Sequence, residues 1–232
     1  MNATHAQKLE IALEDGASVS ALLIRPSQAK ACFIFAHGAG AGMSHPFMEA
    51  VASGLAARDV ASLRYQFPYM EKGSRRPDSP VVAQATVRTA VAEAGRRCPG
   101  LLLIAGGKSF GGRMTSQAQA VIPLEGVRGL VFLGFPLHPA GKPSSDRAEH
   151  LSDVRVPMLF VQGTRDNLAE LRLLEPVVES LGPLASLHLV READHSFHVL
   201  ARSGRNDREV MEEILDAFAA WLAGIEVRST AF

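Results

Sequence analysis

Three polar residues stand directly after apolar runs, in positions where they could carry out chemistry together. Ser109 lies in Gly107-Lys108-Ser109-Phe110-Gly111, a Gly-x-Ser-x-Gly pattern that follows the apolar run 101–105. Asp166 and His195 each follow a later apolar run. An imidazole can take the proton of a serine hydroxyl, and a carboxylate can hold that imidazole in the required tautomer. This combination therefore predicts nucleophilic catalysis by serine.

The serine motif is typical of a sharp turn between a strand and a helix. Strand, glycine turn, serine and helix follow one another in a nucleophile elbow, where backbone strain lifts the hydroxyl clear of the sheet. Glycines at 107 and 111 remove the Cβ atoms that would collide in such a turn. The helix is predicted over 113–121, and its N-terminal dipole favours developing negative charge.

Other interpretations of this motif remain open from the residues alone. The pattern occurs by chance in glycine-rich turns, and Ser109 could be only a helix N-cap. Gly-Lys-Ser also resembles part of a P-loop, but that motif needs glycine where this chain has Leu102. The P-loop interpretation fails on that residue.

The acid and the base have alternatives as well. Asp166 could serve only as the N-cap of the next helix. Asp194 is adjacent to the histidine, and Asp153 precedes its strand, at the wrong edge of the sheet. His195 and His198 suggest a metal pair, but no third ligand stands nearby. The sequence therefore favours Asp166 as the acid, and implies no metal and no cofactor.

A glycine-rich segment supplies a second candidate feature. His37-Gly38-Ala39-Gly40 follows the apolar run 31–36, where this arrangement of strands places an oxyanion-binding amide. The backbone N–H groups of Ala39 and Phe110 are predicted to face the carbonyl oxygen as it gains charge. A dinucleotide fingerprint would need glycine in place of Met43, which makes that alternative weak. Further histidines that could line the same cleft, or simply be solvated, are His37, His45 and His138.

Strands alternating with helices must position these residues. Strands are predicted over 8–13, 18–25, 31–36, 60–65, 101–105, 127–134, 157–162 and 186–191. Helices are predicted over 46–58, 79–97, 113–121, 168–181 and from about 206 to 222, the last of them ended by Gly224. The segments 66–78 and 135–153 are predicted loops.

This alternation predicts an α/β fold with a mostly parallel central sheet and helices on both faces. Asp15-Gly16 predicts that the first two strands form an antiparallel hairpin. We expect one domain over 1–232 without a cap domain, because the loop 135–153 is too short to form one. Ligands of such sheets gather at the carboxyl ends of the strands, which is where Ser109, Asp166 and His195 fall.

Composition limits the classes of function. The 232 residues are 47% apolar and 21% charged, as in soluble globular proteins. Lys+Arg and Asp+Glu both number 24, which indicates neither a nucleic acid nor a membrane partner. No segment resembles a signal peptide or a membrane span, and Cys32 and Cys98 imply no disulfide framework. These features predict a cytoplasmic protein and leave its oligomeric state open.

The order Ser, Asp, His resembles that of the α/β-hydrolases, and the likeness runs from the first hairpin to the last helix. The chain is similar to small cap-less enzymes of the dienelactone-hydrolase type. Two segments, 37–48 and 107–112, resemble a poorly characterised branch related to testis-expressed protein thirty and to the third subunit of the non-specific-lethal complex. Dienelactone hydrolases use a cysteine nucleophile, whereas this chain has Ser109, so their substrate is not carried over.

The sequence thus predicts a serine hydrolase that cleaves a carboxylic ester or related acyl bond of a small molecule. Ser109 would be the nucleophile, His195 the base and Asp166 the residue that orients it. The alternative is a non-catalytic interaction protein that keeps the fold as a scaffold. A scaffold has no need of all three residues, which favours the enzyme.

Overall fold

The computed structural model describes residues 5–229 and contains a single eight-stranded sheet among them. Its order is β1-β2-β4-β3-β5-β6-β7-β8. The strands are β1 Gln7–Ala12, β2 Ser18–Ile24, β3 Ala31–Ala36, β4 Val60–Tyr65, β5 Leu102–Lys108, β6 Val127–Leu133, β7 Met158–Gly163 and β8 Ala185–Val190. β2 is antiparallel to both of its neighbours, and all other pairs are parallel. The predicted fold class is confirmed, including the N-terminal hairpin.

The central strands are apolar on both faces because helices cover both sides of the sheet. Every residue of β3 is buried. Side chains alternate along a strand, so Phe33 and Phe35 join one core cluster while Ile34 joins the other. The two clusters hold the sheet rigidly, and with it the loops at its edges.

Some of the helices begin at capping signals that the sequence carries. They are α1 Pro46–Ala56, α2 Pro68–Glu71, α3 Pro80–Arg97, α4 Phe110–Val121, α5 Leu171–Ser180 and α6 Asp207–Ser229. The Ser79 hydroxyl accepts from the N–H of Val82 at 3.5 Å, as an N-cap does. At α6, Glu209 N–H donates to Asn206 Oδ1 at 3.0 Å, and Asn206 N–H donates to Glu209 Oε2 at 3.1 Å. These reciprocal bonds form a capping box, a pattern that Asn206 and Glu209 carry in the sequence.

The prediction that Gly224 ends the last helix is wrong. α6 continues through Gly224 to Ser229, and Gly224 is not among the glycines with positive φ. A glycine in a helix interior costs only about 1 kcal/mol relative to alanine. Burial of Ile225, one residue further on, favours continuing the helix.

Smaller differences concern the loops and the start of α4. α4 begins at Phe110, three residues earlier than predicted. The predicted loop 66–78 contains the short helix α2, and the predicted loop 135–153 contains a 3-10 helix over Asp146–Asp153. None of the helices in residues 5–229 is long and apolar enough to cross a membrane.

Candidate active site

Ser109 occupies a strained turn between β5 and α4. Its φ of 48° and ψ of −116° lie outside the regions that non-glycine residues ordinarily adopt. A Cβ atom at Gly107 or Gly111 would stand 2.5 or 2.6 Å from the carbonyl oxygen of Ala36, closer than packing allows. The turn therefore requires glycine on both sides of the serine, as the motif predicts.

The hydroxyl of Ser109 does not cap the helix that it precedes. No side-chain capping bond is formed there, and Ser109 Oγ lies 2.8 Å from Nε2 of His195 instead. The interpretation of Ser109 as an N-cap alone does not describe this structure. The hydroxyl and the imidazole, which are 86 residues apart in the chain, meet at the carboxyl edge of the sheet.

Asp166 lies behind the imidazole. Its Oδ2 is 2.6 Å from Nδ1 of His195, and its side chain is fully buried whereas that of His195 is 20% exposed. Gln162 Nε2 donates to Oδ2 at 2.5 Å, and the N–H of Leu168 donates to Oδ1 at 2.8 Å. Asp166 is thus not an N-cap of α5, which Glu170 precedes. The buried carboxylate is satisfied by donors on each oxygen.

These contacts determine which imidazole nitrogen carries the proton. An ionised carboxylate only accepts hydrogen bonds, so the hydrogen shared with Asp166 sits on Nδ1 of His195. Nε2 is then free to accept the Ser109 proton. The arrangement is chemically able to generate a serine nucleophile.

The competing residues have other partners. Asp194 Oδ1 accepts from the N–H groups of Ser196 and His198, at 2.8 and 3.0 Å, and so shapes the turn that carries His195. His198 Nδ1 contacts Asp207 Oδ2 at 2.7 Å, away from His195. Asp153 ends the 3-10 helix. Across residues 5–229, no three or more His, Cys, Asp or Glu side chains are grouped as metal ligands.

Ala39 and Phe110, whose amides are predicted to bind the oxyanion, both lie near Ser109. Ala39 lines the same cleft as Ser109, and Phe110 begins α4, where the first N–H has no acceptor within the helix. The carbonyl of Gly38 accepts from His37 Nδ1 at 2.8 Å and from Tyr69 Oη at 3.5 Å. Because a peptide unit is planar, fixing this carbonyl also fixes the direction of the Ala39 N–H.

Two of the loop histidines are structural supports rather than solvated side chains. His37 is fully buried, and its Nε2 accepts from the N–H of Phe67 at 3.0 Å. Burial lowers the pKa of His37 to about 4, so the ring stays neutral with its hydrogen on Nδ1. His138 is bonded in the same way, with Nδ1 2.9 Å from the carbonyl of Pro139 and Nε2 accepting from the N–H of Glu170 at 3.2 Å.

A small cleft opens onto Ser109. Its volume is about 180 Å³. Its lining residues are Gly38, Ala39, Ala41, His45, Phe47, Met48, Lys108, Ser109, His195 and Ser196. A larger open groove of about 810 Å³ runs along α6 beside His188 and contains none of the three candidate catalytic residues. The candidate site is therefore identified by the residues that line the cleft and not by the volume of the cleft.

Sequence reasoning did not find Gln162 or the position of Lys108. Gln162 is a fully buried polar residue near the end of β7, where its Oε1 accepts from the N–H of Phe135 at 2.9 Å while its Nε2 supports Asp166. A glutamine inside an apolar strand, four residues before the acid, was the signal available. The only pattern in which the sequence analysis placed Lys108 was Gly-Lys-Ser, which resembles part of a P-loop and does not indicate a contact with His195.

The chain matches a known protein family and several solved structures. A family model described as an alpha/beta hydrolase domain matches residues 29–223. Among solved structures, a dienelactone hydrolase from Anabaena variabilis superposes with a TM-score of 0.77 at 20% identity, covering 95% of this chain and 98% of that one. A serine hydrolase without a lid from Xanthomonas campestris gives 0.72 at 18% identity, with coverages of 94% and 95%. An esterase domain from Rhodothermus marinus gives 0.71 at 15% identity, with coverages of 94% and 97%.

Proposed function

Because this chain belongs to the alpha/beta hydrolase domain family, we propose that it is a serine hydrolase cleaving a carboxylic ester or related acyl bond. The observation that carries the proposal is the hydrogen-bonded series from Ser109 Oγ through His195 to Asp166 Oδ2, at 2.8 and 2.6 Å. Each member has the orientation that its role needs. A non-catalytic scaffold would gain nothing from this series, which supports the enzyme over that alternative.

The proposed reaction has two steps. Ser109 Oγ attacks the carbonyl carbon while Nε2 of His195 takes its proton, and the buried carboxylate of Asp166 stabilises the imidazolium. The N–H groups of Ala39 and Phe110 bind the oxyanion of the tetrahedral intermediate. His195 then protonates the leaving group, and water, activated by the same imidazole, releases the acid from the acyl-enzyme. No cofactor takes part.

We propose a small acyl substrate. The cleft holds about 180 Å³, below the roughly 300 to 1,000 Å³ of pockets that take drug-sized ligands. The lidless hydrolase and the esterase domain with the same fold are consistent with this choice, although the fold alone does not determine a substrate.

Three further proposals concern the whole protein. We propose that 1–232 form one domain, and that the protein acts in the cytoplasm, a location with which its two free, buried cysteines are compatible. The segments 37–48 and 107–112 support a place in the branch related to testis-expressed protein thirty and the third non-specific-lethal subunit.

Pre-steady-state hydrolysis of p-nitrophenyl acetate tests the function. An acyl-enzyme predicts a burst of p-nitrophenol proportional to enzyme wherever deacylation is slower than acylation, and an acetyl group on Ser109 in the peptide mass spectrum after acid quenching. A panel of p-nitrophenyl esters and thioesters from two to sixteen carbons widens the search. Absence of hydrolysis and of acylation across that panel would contradict the proposed activity.

A further inference from the structure

Lys108, the residue before the nucleophile, joins the two halves of the candidate site. It is the last residue of β5, and its ammonium Nζ donates to the backbone carbonyl of His195 at 2.5 Å. The strand that carries Ser109 is thereby tied to the loop that carries the imidazole, 87 residues later in the chain. None of the proposed catalytic steps uses this lysine.

The ammonium lies in a space built to receive it. Nζ is 5.3 Å from the ring centroid of Phe197 and 6.0 Å from that of Phe47, within the range of cation–π attraction. The two rings are parallel to within 7°, with centroids 5.7 Å apart. A Cβ at Gly134, whose φ is +71°, would lie 2.9 Å from Nζ and 3.5 Å from His195 Cε1. The positive φ favours glycine at this position, and an added side chain would displace the ammonium beside the imidazole.

Holding a cation here costs free energy. Burial lowers the pKa of Lys108 to about 8, and the carboxylates of Asp166 and Asp194 only partly oppose that shift. Asp166 comes from the loop after β7, and Asp194 and His195 from the loop after β8. Within residues 5–225, Lys108 forms no salt bridge with either carboxylate. A half-buried charge whose pKa is shifted by desolvation is typical of functional sites.

We propose that Lys108 is a positioning residue, whose ammonium clasps the carbonyl of His195 and so holds the imidazole between Ser109 and Asp166. This inference rests on the proposed function. His195 sits on a turn that is otherwise shaped by Asp194, and its side chain is 20% exposed whereas that of Asp166 is fully buried. The clasp fixes that turn to the rigid sheet.

The clasp should depend on pH. A charged donor forms a stronger hydrogen bond than a neutral one. Lys108 is protonated below its pKa of about 8 and loses the charge above it. The clasp is therefore strongest below about pH 8, and kcat is expected to fall as the pH rises through that value.

The pH dependence of p-nitrophenyl acetate hydrolysis by the wild-type protein is the first measurement. This measurement needs no variant, so it tests the inference even if a substitution at Lys108 prevents folding. We expect a descending limb of kcat on the alkaline side. A profile that stays level from pH 7 to pH 10 would overturn the inference.

Lys108→Met is the second measurement, since it removes the ammonium while keeping an unbranched side chain beside the rings of Phe47 and Phe197. We expect kcat to fall roughly 10- to 100-fold, the cost of a misplaced catalytic group, with KM little changed and the alkaline limb absent. Lys142→Met, at an exposed lysine in the loop after β6, should retain the wild-type profile. If Lys108→Met keeps the wild-type kcat and the alkaline limb of the pH profile, Lys108 has no positioning role.

Chemical rescue separates positioning from packing. Lys108→Cys is assayed before and after treatment with 2-bromoethylamine, in which the thiolate displaces bromide and restores an ammonium at nearly the length of lysine. We expect the rate to recover and the alkaline limb to return at a lower pH, because this ammonium is more acidic. Wild-type protein treated alike controls for Cys32 and Cys98, which are buried. Full alkylation by mass without any recovery would contradict the clasp.

The outcomes distinguish this inference from the proposed function. If the wild-type protein neither hydrolyses the ester nor forms an acyl-enzyme on Ser109, the function itself fails. If it does both, and the Lys108 variants keep the wild-type kcat and pH profile, only the role of Lys108 fails.

Discussion

At the scale of single residues, the chemistry of the site depends on a buried carboxylate whose oxygens are both hydrogen-bonded. Asp166 accepts from His195, Gln162 and the backbone of Leu168, so both of its oxygens have assigned donors. That Ser109, Asp166 and His195 meet was predictable because each follows a strand at the edge of a parallel sheet. Gln162 and Lys108 were not, because their roles depend on contacts with loops distant in the chain.

Asp166→Asn tests which carboxylate orients the imidazole. The amide keeps the size of the side chain but puts a donor beside Nδ1 of His195, which favours the tautomer with hydrogen on Nε2. We expect turnover to fall roughly 10²- to 10⁴-fold. This loss is smaller than in the serine-protease template, because water can partly replace the carboxylate in the open loop of this protein. The same amide meets the donor Nε2 of Gln162, so a modest loss of stability should accompany it.

Asp153→Asn is the matched control, since Asp153 ends the 3-10 helix before β7 and lies near His150. Its turnover is expected within a few-fold of the wild type, with melting temperatures recorded for both variants. If Asp153→Asn lost its activity while Asp166→Asn kept it, the assignment of Asp166 as the acid would be wrong.

At the scale of elements, the start of α6 was predictable from the sequence and its end was not. The start of α6 depends on Asn206 and Glu209, whose reciprocal hydrogen bonds span three residues and are visible in the sequence. Its end depends on packing against the sheet, because Ile225 is buried beyond Gly224. A glycine after an amphipathic run is typical of a C-terminal cap, and only the tertiary contacts show that this one lies inside the helix.

Gly224→Ala is therefore predicted to stabilise the protein. An added Cβ meets nothing within 4 Å, and alanine in an exposed helix interior gains up to about 1 kcal/mol over glycine. The midpoint of urea unfolding should rise. A lower midpoint would indicate that Gly224 adopts the left-handed conformation of a helix cap.

Gly54→Ala is the matched contrast on α1. Its Cβ would lie 2.2 Å from Cδ1 of Leu215, which is buried where α1 packs against α6. Overpacking of this kind costs about 1 to 3 kcal/mol, which exceeds the gain in helix propensity. Opposite signs for the two glycines in the same unfolding experiment are the expected result.

At the scale of the whole molecule, the sheet brings three distant parts of the chain to one edge, and no cap covers them in the described residues 5–229. The segment between β6 and β7 forms only a 3-10 helix over Asp146–Asp153, which packs against α4. The absence of a cap was predictable from the length of that segment. The small cleft volume was not, because it depends on how Phe47 and Met48 of α1 face Ser109.

We expect short acyl chains to be preferred, with little activation by a lipid interface. A cleft of about 180 Å³ accommodates an acetyl or butyryl group but not a dodecanoyl chain. The measurement is kcat/KM over p-nitrophenyl esters of increasing length, where a drop of about tenfold or more past the cleft's capacity is predicted. A preference for emulsified long-chain lipids would contradict it.

Met48→Ala sharpens this prediction, because Met48 lines the cleft and its truncation should shift the preferred acyl chain to greater length. Val51→Ala removes a buried side chain from the same helix without lining the cleft. Equal shifts in both variants would point to general loosening of α1 rather than to the cleft.

The most direct test of the central claim is covalent labelling by a fluorophosphonate. The geometry predicts that the wild-type protein is labelled on Ser109 and that Ser109→Ala abolishes labelling. Ser116→Ala should be labelled like the wild type, although Ser116 Oγ also lies 2.7 Å from a histidine, Nε2 of His150. An unlabelled wild type, or labelling that survives Ser109→Ala and disappears in Ser116→Ala, would contradict the account of this site.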